Sequence, residues 1–233
     1  MDFLDRHVIV TGGTGSLGIA LVAELLDAGA TCHVPFRNEP EPRSYPHHSN
    51  PRLRLVHTGS LSDEEDVENF FQSVPNLWAS IHLVGGYVGK PVSETDKATL
   101  MQQIDANLVT CFLCCRAAVK SMTAGRIGGR IVNVAARPAL EWRSGAGMVA
   151  YTAAKAGVAA LTVALAQEVA KDGILVNAVA PSVMDTPANR KAMPKADFDD
   201  WPKVDEVART ILFLASPENK VTRGAVTPVY GRS

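Results

Sequence analysis

His7-Val8-Ile9-Val10-Thr11-Gly12-Gly13-Thr14-Gly15-Ser16-Leu17-Gly18 is the stretch whose reading decides the fold. A short apolar run ends in glycines. A segment with apolar residues at helical spacing, 17–28, follows at once and stops at Gly29, a helix-end signal. Gly12, Gly15 and Gly18 stand where a side chain would block a tight turn, keep backbone away from a pyrophosphate, or hold helix off strand. The helix then points free N–H groups and a positive dipole end at whatever binds there. A lone glycine triplet is weak; between a first strand and a first helix it is a strong dinucleotide signal. The bland alternative is a plain glycine-rich turn.

Outward from this turn, strand-like and helix-like segments alternate. The spacing predicts strands at 7–11, 31–36, 53–57, 79–84, 130–134, 174–179 and 225–229. It predicts helices at 17–28, 63–73 (with an acidic first turn), 96–123, 150–171 and 204–215. Such alternation implies an α/β fold: a single-domain, Rossmann-type doubly wound parallel sheet with helices on both faces, spanning 1–233. Ligands of such sheets bind at the carboxyl ends of the strands, near the switch in strand order. Two proline-rich stretches, 37–52 and 181–203, read as long loops, which in compact domains are often functional.

Composition narrows the function classes. Of 233 residues, 46% are hydrophobic and 20% charged, the balance of a globular protein with a sizeable core. The net charge of −1 provides no basic field for nucleic acid or an anionic membrane. Residues 1–11 do not read as a signal peptide, and no apolar run is expected to approach the ~20 residues of a membrane span. The expected location is the cytoplasm. Of the four cysteines, Cys111, Cys114 and Cys115 fall within one apolar helical stretch and Cys32 stands apart. Without a second ligand pair they read as buried helix cysteines, with no metal site and no disulfide.

The second strand ends Val34-Pro35-Phe36-Arg37, with no acid to meet ribose hydroxyls. A guanidinium suits a 2′-phosphate, so Arg37 points to NADP(H), with NADPH preferred. NAD stays open, because Arg37 read as a plain loop residue, or Glu39 swinging in, would fit it. Further on, Tyr151-Thr152-Ala153-Ala154-Lys155 sets a phenol and an ammonium at i and i+4 on one helix face. A tyrosine with a pKa of about 10 is a poor base at neutral pH, and a nearby ammonium lowers that value. The pair can then trade a proton near the working pH. Alone it would read as a chance pair on a solvated face; downstream of the glycine turn the chemical reading wins.

These residues together resemble the short-chain dehydrogenase/reductase family over essentially the whole chain. The resemblance rests on the turn at 11–18, Asn107 in Asp105-Ala106-Asn107-Leu108, and Arg130-Ile131-Val132-Asn133-Val134. Tyr151 with Lys155, Val176-Asn177-Ala178-Val179-Ala180-Pro181, and the ending 224–231 complete it. It implies hydride transfer between a nicotinamide and a C=O or C=N carbon of a small molecule. Tyr151 would donate the proton, Lys155 would hold the nicotinamide ribose and tune Tyr151, and Asn107 would position a relay water. Cofactor contacts would come from Gly12, Thr14, Gly15, Ser16, Leu17, Gly18, Arg37, Leu61, Gly85, Gly86, Pro181, Val183 and Thr186, with Tyr151 and Lys155. The resemblance also implies a homotetramer or homodimer built on 96–123 and 150–171.

The chain departs from the family pattern at Ala136, where a serine usually orients the substrate carbonyl. Three explanations stand. Ser144 substitutes; or catalysis is lost and the chain is a dinucleotide-binding regulatory protein; or it resembles the quinonoid dihydropteridine reductases of this family, which share the alanine. Val84-Gly85-Gly86-Tyr87 and the loop from Asp185 to Phe198, with Trp201 beyond, also resemble that branch. Tyr87 and Trp142 are then candidates to cover a flat heterocycle, with Ala136 and Ser144 as further substrate contacts. The loop 185–201 is a candidate lid. An epimerase or dehydratase of the same fold is a further rival, disfavoured because 233 residues leave no room for a second substrate domain.

Overall fold

The computed structural model describes residues 1–37 and 44–233. Seven strands form one parallel sheet: β1 (His7–Thr11), β2 (Thr31–Phe36), β3 (Leu53–His57), β4 (Leu77–His82), β5 (Gly129–Val134), β6 (Ile174–Pro181) and β7 (Val226–Val229). Their order is β3-β2-β1-β4-β5-β6-β7. The chain moves outward from β1 in one direction, returns to β4 on the other side, and continues to β7. The crevice between β1 and β4 is therefore the switch point where doubly wound sheets bind ligands.

The pleat divides the core. Val8 and Val10 face one side with Leu21, Leu25, Ile211 and Leu212, from helices α1 (Ser16–Asp27) and α6 (Val204–Ala215). Ile9 and Ile131 face the other with Phe71, Cys114 and Val158, from α2 (Glu64–Gln72), α4 (Thr110–Gly125) and α5 (Val149–Glu168). Strands buried on both faces read as near-continuous apolar runs, and for that reason β1 and β2 have the limits expected from sequence; edge strand β3, with Arg54 and His57 exposed, has its expected limits too.

Four expectations need correction. β4 begins and ends two residues earlier than 79–84. The chain must leave the ladder at Leu83 because Gly12 packs there: a Cβ on Gly12 would lie 2.9 Å from Leu83 C and Val84 N. The single helix expected over 96–123 is instead α3 (Lys97–Ile104), a π-turn (Asp105–Val109) and α4. The Thr110 hydroxyl donates to the Asp105 carbonyl five residues back, closing the widened turn. The helix expected over 150–171 ends at Glu168 and passes through a 3-10 turn to Gly173, whose φ of +71° favours glycine.

The fourth concerns apolar length. Segments Lys97–Gly125 and Val149–Glu168 are each long and apolar enough, by length and composition, to cross a membrane. Here they pack against the sheet and against each other, and carry Asn107 and Lys155 inward.

The two proline-rich stretches differ. In the first, Glu39, Pro40 and Pro42 lie outside the described residues. The second is an ordered unit: Asp185 pairs with Arg190 (2.5 Å) and Lys203 (2.9 Å), and these two cations hold its carboxyl well below the usual carboxylate range. Arg190 stacks on Phe198, which tilts against buried Trp201. A helical turn, Pro187–Ala192, forms within it, started by the Thr186 hydroxyl accepting from Asn189 N at 3.2 Å.

Candidate active site

The glycine turn is built by steric exclusion. Gly12 adopts φ +68°, and a Cβ on Gly18 would sit 2.3 Å from the Gly12 carbonyl oxygen, so α1 packs directly on the turn. Gly15 is different: a Cβ there meets only the Gly12 oxygen at 3.5 Å, an ordinary contact. No contact among the described residues requires it to be bare. Gly15 is also the N-cap of α1 and supplies no side-chain cap, and the first turn holds no acid. By contrast α2 is capped by Asp63 and opens with three acidic residues. One helix end is therefore filled by the chain itself, and the other is left receptive to an anion.

A cleft of about 640 Å³ opens above this end. Gly12, Thr14, Arg37, Leu61, Met101 and Ala106 are among its lining residues, so four of the expected cofactor contacts share one wall system. Ser16 and Leu17 begin α1, but the Leu17 side chain points into the core and only its backbone is available. Pro181 closes β6, Val183 is partly exposed, and Thr186 uses its hydroxyl as a helix cap.

The chemistry-bearing side chains converge from α5, the π-turn and the segment after β4. Lys155 is buried and its Nζ donates to the Val134 carbonyl at 2.8 Å. Burial pushes its pKa down to about 8, with Cys111 acting electrostatically the other way. Tyr151 packs edge-on against Tyr87, ring centroids 5.1 Å apart. Burial, then Tyr87, push its phenol up to about 12. The sequence argument expected the ammonium to lower this value. In the structure Lys155 is turned to a carbonyl, and desolvation decides the direction.

Asn107 braces the wall between them. Its Nδ2 donates to Gly86 O and Gln103 O (both 2.9 Å), and its Oδ1 accepts from Gly86 N at 3.2 Å. The π-turn aims this side chain across to the β4 exit, as π-bulges at functional sites commonly do. Gly85 must stay bare: a Cβ would lie 2.7 Å from Asn107 Oδ1 and 3.3 Å from Lys155 Nζ.

The expected substrate contacts divide. Ala136 is buried at the β5 exit, before the turn Arg137–Leu140. Trp142 is 74% exposed, its Nε1 donating to Ala139 O. The Ser144 hydroxyl donates to the Glu141 carbonyl at 2.7 Å, within its own turn. Three supporting residues went unnoticed in the sequence. The buried Tyr45 hydroxyl donates to Gly13 O at 2.9 Å and props the glycine turn. Asp66 Oδ2 accepts from Ser60 N at 2.7 Å and fixes the cleft loop after β3. Gln103 Oε1 accepts from Val88 N. Asp66 was legible only as an acid in a first helical turn, and Tyr45 carried no signal. His82, Cys111 and Cys115 also converge, with ligand atoms all within 4.8 Å of one another, a grouping that cysteine spacing alone did not reveal.

With strand order, uncapped α1 and the Tyr151–Lys155 pair in hand, comparison with known proteins agrees. Residues 6–197 match the family model described as short chain dehydrogenase, and the chain belongs to the short-chain dehydrogenase/reductase family. It is 32% identical to the 2,3-dihydroxy-2,3-dihydro-p-cumate dehydrogenase of Pseudomonas putida, over 97% of this chain and 93% of that one. It is 31% identical to a 3beta-hydroxysteroid dehydrogenase of Mediterraneibacter gnavus, over 98% and 95%. The solved structure of ElxO with NADP bound superposes with a TM-score of 0.87 at 24% identity, covering 97% of each chain, and shares the fold.

Proposed function

We propose that the chain is a nicotinamide-dependent oxidoreductase that moves a hydride to or from a C=O or C=N carbon of a small molecule, with Tyr151 as proton donor. The observation that carries this reading is a phenol and a buried ammonium one turn apart on α5, at the carboxyl end of the sheet that also bears the uncapped end of α1. A phenol held up at about 12 keeps its proton at neutral pH and yields it to a developing alkoxide or amide nitrogen. Lys155, at about 8, is mostly charged there; its Nζ is bonded to Val134 O before reaction, and its charge one helical turn away would favour the phenolate once it forms. Asn107 keeps the Gly85–Gly86 wall in place beside both. The bound dinucleotide supplies or accepts the hydride.

Thr14, Gly15 and the first-turn N–H groups of α1 would hold the pyrophosphate, and Pro181, Val183 and Thr186 the nicotinamide side. Arg37 on the cleft wall, and the NADP held by ElxO, support NADP(H) over NAD(H). Tyr87 and exposed Trp142 support a flat cyclic substrate, a quinonoid dihydropterin among them. The named relatives, dehydrogenases of a dihydroxylated p-cumate and a hydroxysteroid, fit a ring-bearing substrate equally. Half-exposed Phe112 and Val163 on α4 and α5 support association with a second copy through these helices.

Buried Ala136, which has no hydroxyl to offer, favours a second reading: a dinucleotide-binding regulatory protein without turnover. One assay separates them. Purified protein is offered NADPH or NADH against a quinonoid dihydropterin and a reactive cyclic ketone, following nicotinamide absorbance. Turnover of either acceptor, faster with NADPH, is the expected result. Tight dinucleotide binding with no turnover across a panel of cyclic ketones, alcohols and pterins would move the assignment to the regulatory protein.

A further inference from the structure

Beneath α5 lies a polar cluster that the proposed chemistry does not use. His82 ends β4, Asn133 lies on β5, and Cys111 and Cys115 sit one turn apart on α4. All four are more than nine-tenths buried. Cys115 Sγ is 3.5 Å from His82 Nδ1 and 3.4 Å from Asn133 Oδ1. His82 Nδ1 lies 2.8 Å from Asn133 Oδ1, and its other ring nitrogen lies 2.7 Å from the Ser80 hydroxyl, which can accept from it when Nδ1 is unprotonated.

Hydrogen bonding accounts for His82, Asn133 and Cys115, whose thiol donates to Asn133 Oδ1, but it does not require a second sulfur, that of Cys111, within 4.8 Å of the same ligand atoms. The spacing fits a different use. Around tetrahedral zinc, a sulfur at ~2.3 Å and a nitrogen at ~2.0 Å stand about 3.5 Å apart. The Cys115–His82 distance has that value. The nitrogen–oxygen pair needs to open by only about half an ångström to meet the same geometry. Ser80 fixes the imidazole from behind, as outer partners of metal-bound histidines do. Two thiolates, a neutral imidazole and a divalent cation sum to zero charge, which suits a pocket walled by the apolar cluster of α4, α5 and β5.

We infer that Cys111 Sγ, Cys115 Sγ and His82 Nδ1, with Asn133 Oδ1 in the fourth position, form a structural site for a thiophilic cation of the zinc type. Its closed, three-element construction means that the cation is taken up as the chain folds. The site ties α4 to β4 and β5 directly below the carbonyl that holds Lys155. Its ligands are distinct from Tyr151 and Lys155, and its test reads bound metal rather than turnover, so the two readings can fail separately.

The test uses the full chain, unfolded in denaturant with reductant and chelator and refolded anaerobically with Zn²⁺, with Co²⁺ or with neither. One metal ion per chain is expected to survive gel filtration. The cobalt form should show sulfur-to-cobalt charge transfer and the intense visible bands of a tetrahedral ion. Zinc should also raise the melting temperature. The paired substitution Cys111→Ser and Cys115→Ser should lose the metal, whereas Cys32→Ser and Cys114→Ser should keep it. Folded wild-type protein without the charge-transfer band would overturn the site, whether or not the paired variant folds. So would equal metal content in the paired variant.

Discussion

The two ends of the sheet bury titratable groups by the same physics and to different ends. At the carboxyl end, burial pushes Tyr151 up to about 12 and Lys155 down to about 8. Toward the amino end, His7 and His33 bond ring to ring at 2.9 Å, and burial pushes His33 down to about 4. Arg6 and Arg130 both lie over the Trp78 ring nearby, at 3.8 and 4.9 Å from its centroid. In every case desolvation favours the neutral form. What differs is the partner. His7 and His33 satisfy one another, whereas the Tyr151 ring packs on exposed Tyr87, and Lys155, though bonded to Val134 O, also lies beside the bare backbone of Gly85. A perturbed pKa thus marks burial. Only convergence of such groups at a surface that a ligand can reach marks a site.

If that distinction is right, substitutions at the carboxyl end change activity and leave stability alone. The largest expected effect is from Tyr151→Phe, which keeps the ring packed on Tyr87 and removes the proton. Turnover should fall ~100-fold or more while the unfolding midpoint stays put. Unchanged turnover would mean that the proton comes from another group. Next is Arg37→Ala. A charge-assisted contact to a 2′-phosphate predicts an NADPH dissociation constant about tenfold weaker, with NADH little changed. Equal weakening of both dinucleotides, read by fluorescence titration, would remove Arg37 from the phosphate site.

The same contrast explains what the sequence disclosed. Gly12 and Gly18 were legible because their constraint is steric and local: a backbone at φ +68° and a carbonyl 2.3 Å from any Cβ admit no other residue. Tyr151 and Lys155 were legible because helical spacing alone puts them on one face. Tyr45 was not, since its hydroxyl reaches Gly13 from 32 residues away out of a proline-rich stretch. His82 and the two cysteines were not, because a strand and a helix bring them together across 33 residues of sequence. The direction of the Tyr151 shift was also missed. It depends on which way Lys155 points, and that is decided by the Val134 carbonyl rather than by the spacing of the pair.

The smallest expected effect lies at the other end and tests the comparison from the opposite side. His33 is neutral in the folded chain, with a pKa of about 4 against 6.5 when unfolded. A depressed pKa means that its contribution to stability is fully present above pH 6.5 and is lost as pH falls from there toward 4. His33→Gln retains an amide able to bond His7 and does not titrate. Denaturant unfolding at pH 7 should therefore find the two proteins similar. Near pH 4.5 wild type should have lost more stability than the variant, by on the order of 1 kcal/mol once screening by solvent is counted. Turnover at pH 7 should be the same in both. Parallel pH–stability curves would mean that the His7–His33 bond carries no linked proton. A variant of normal stability with impaired turnover would couple the amino end to the cleft and break the separation between the two ends.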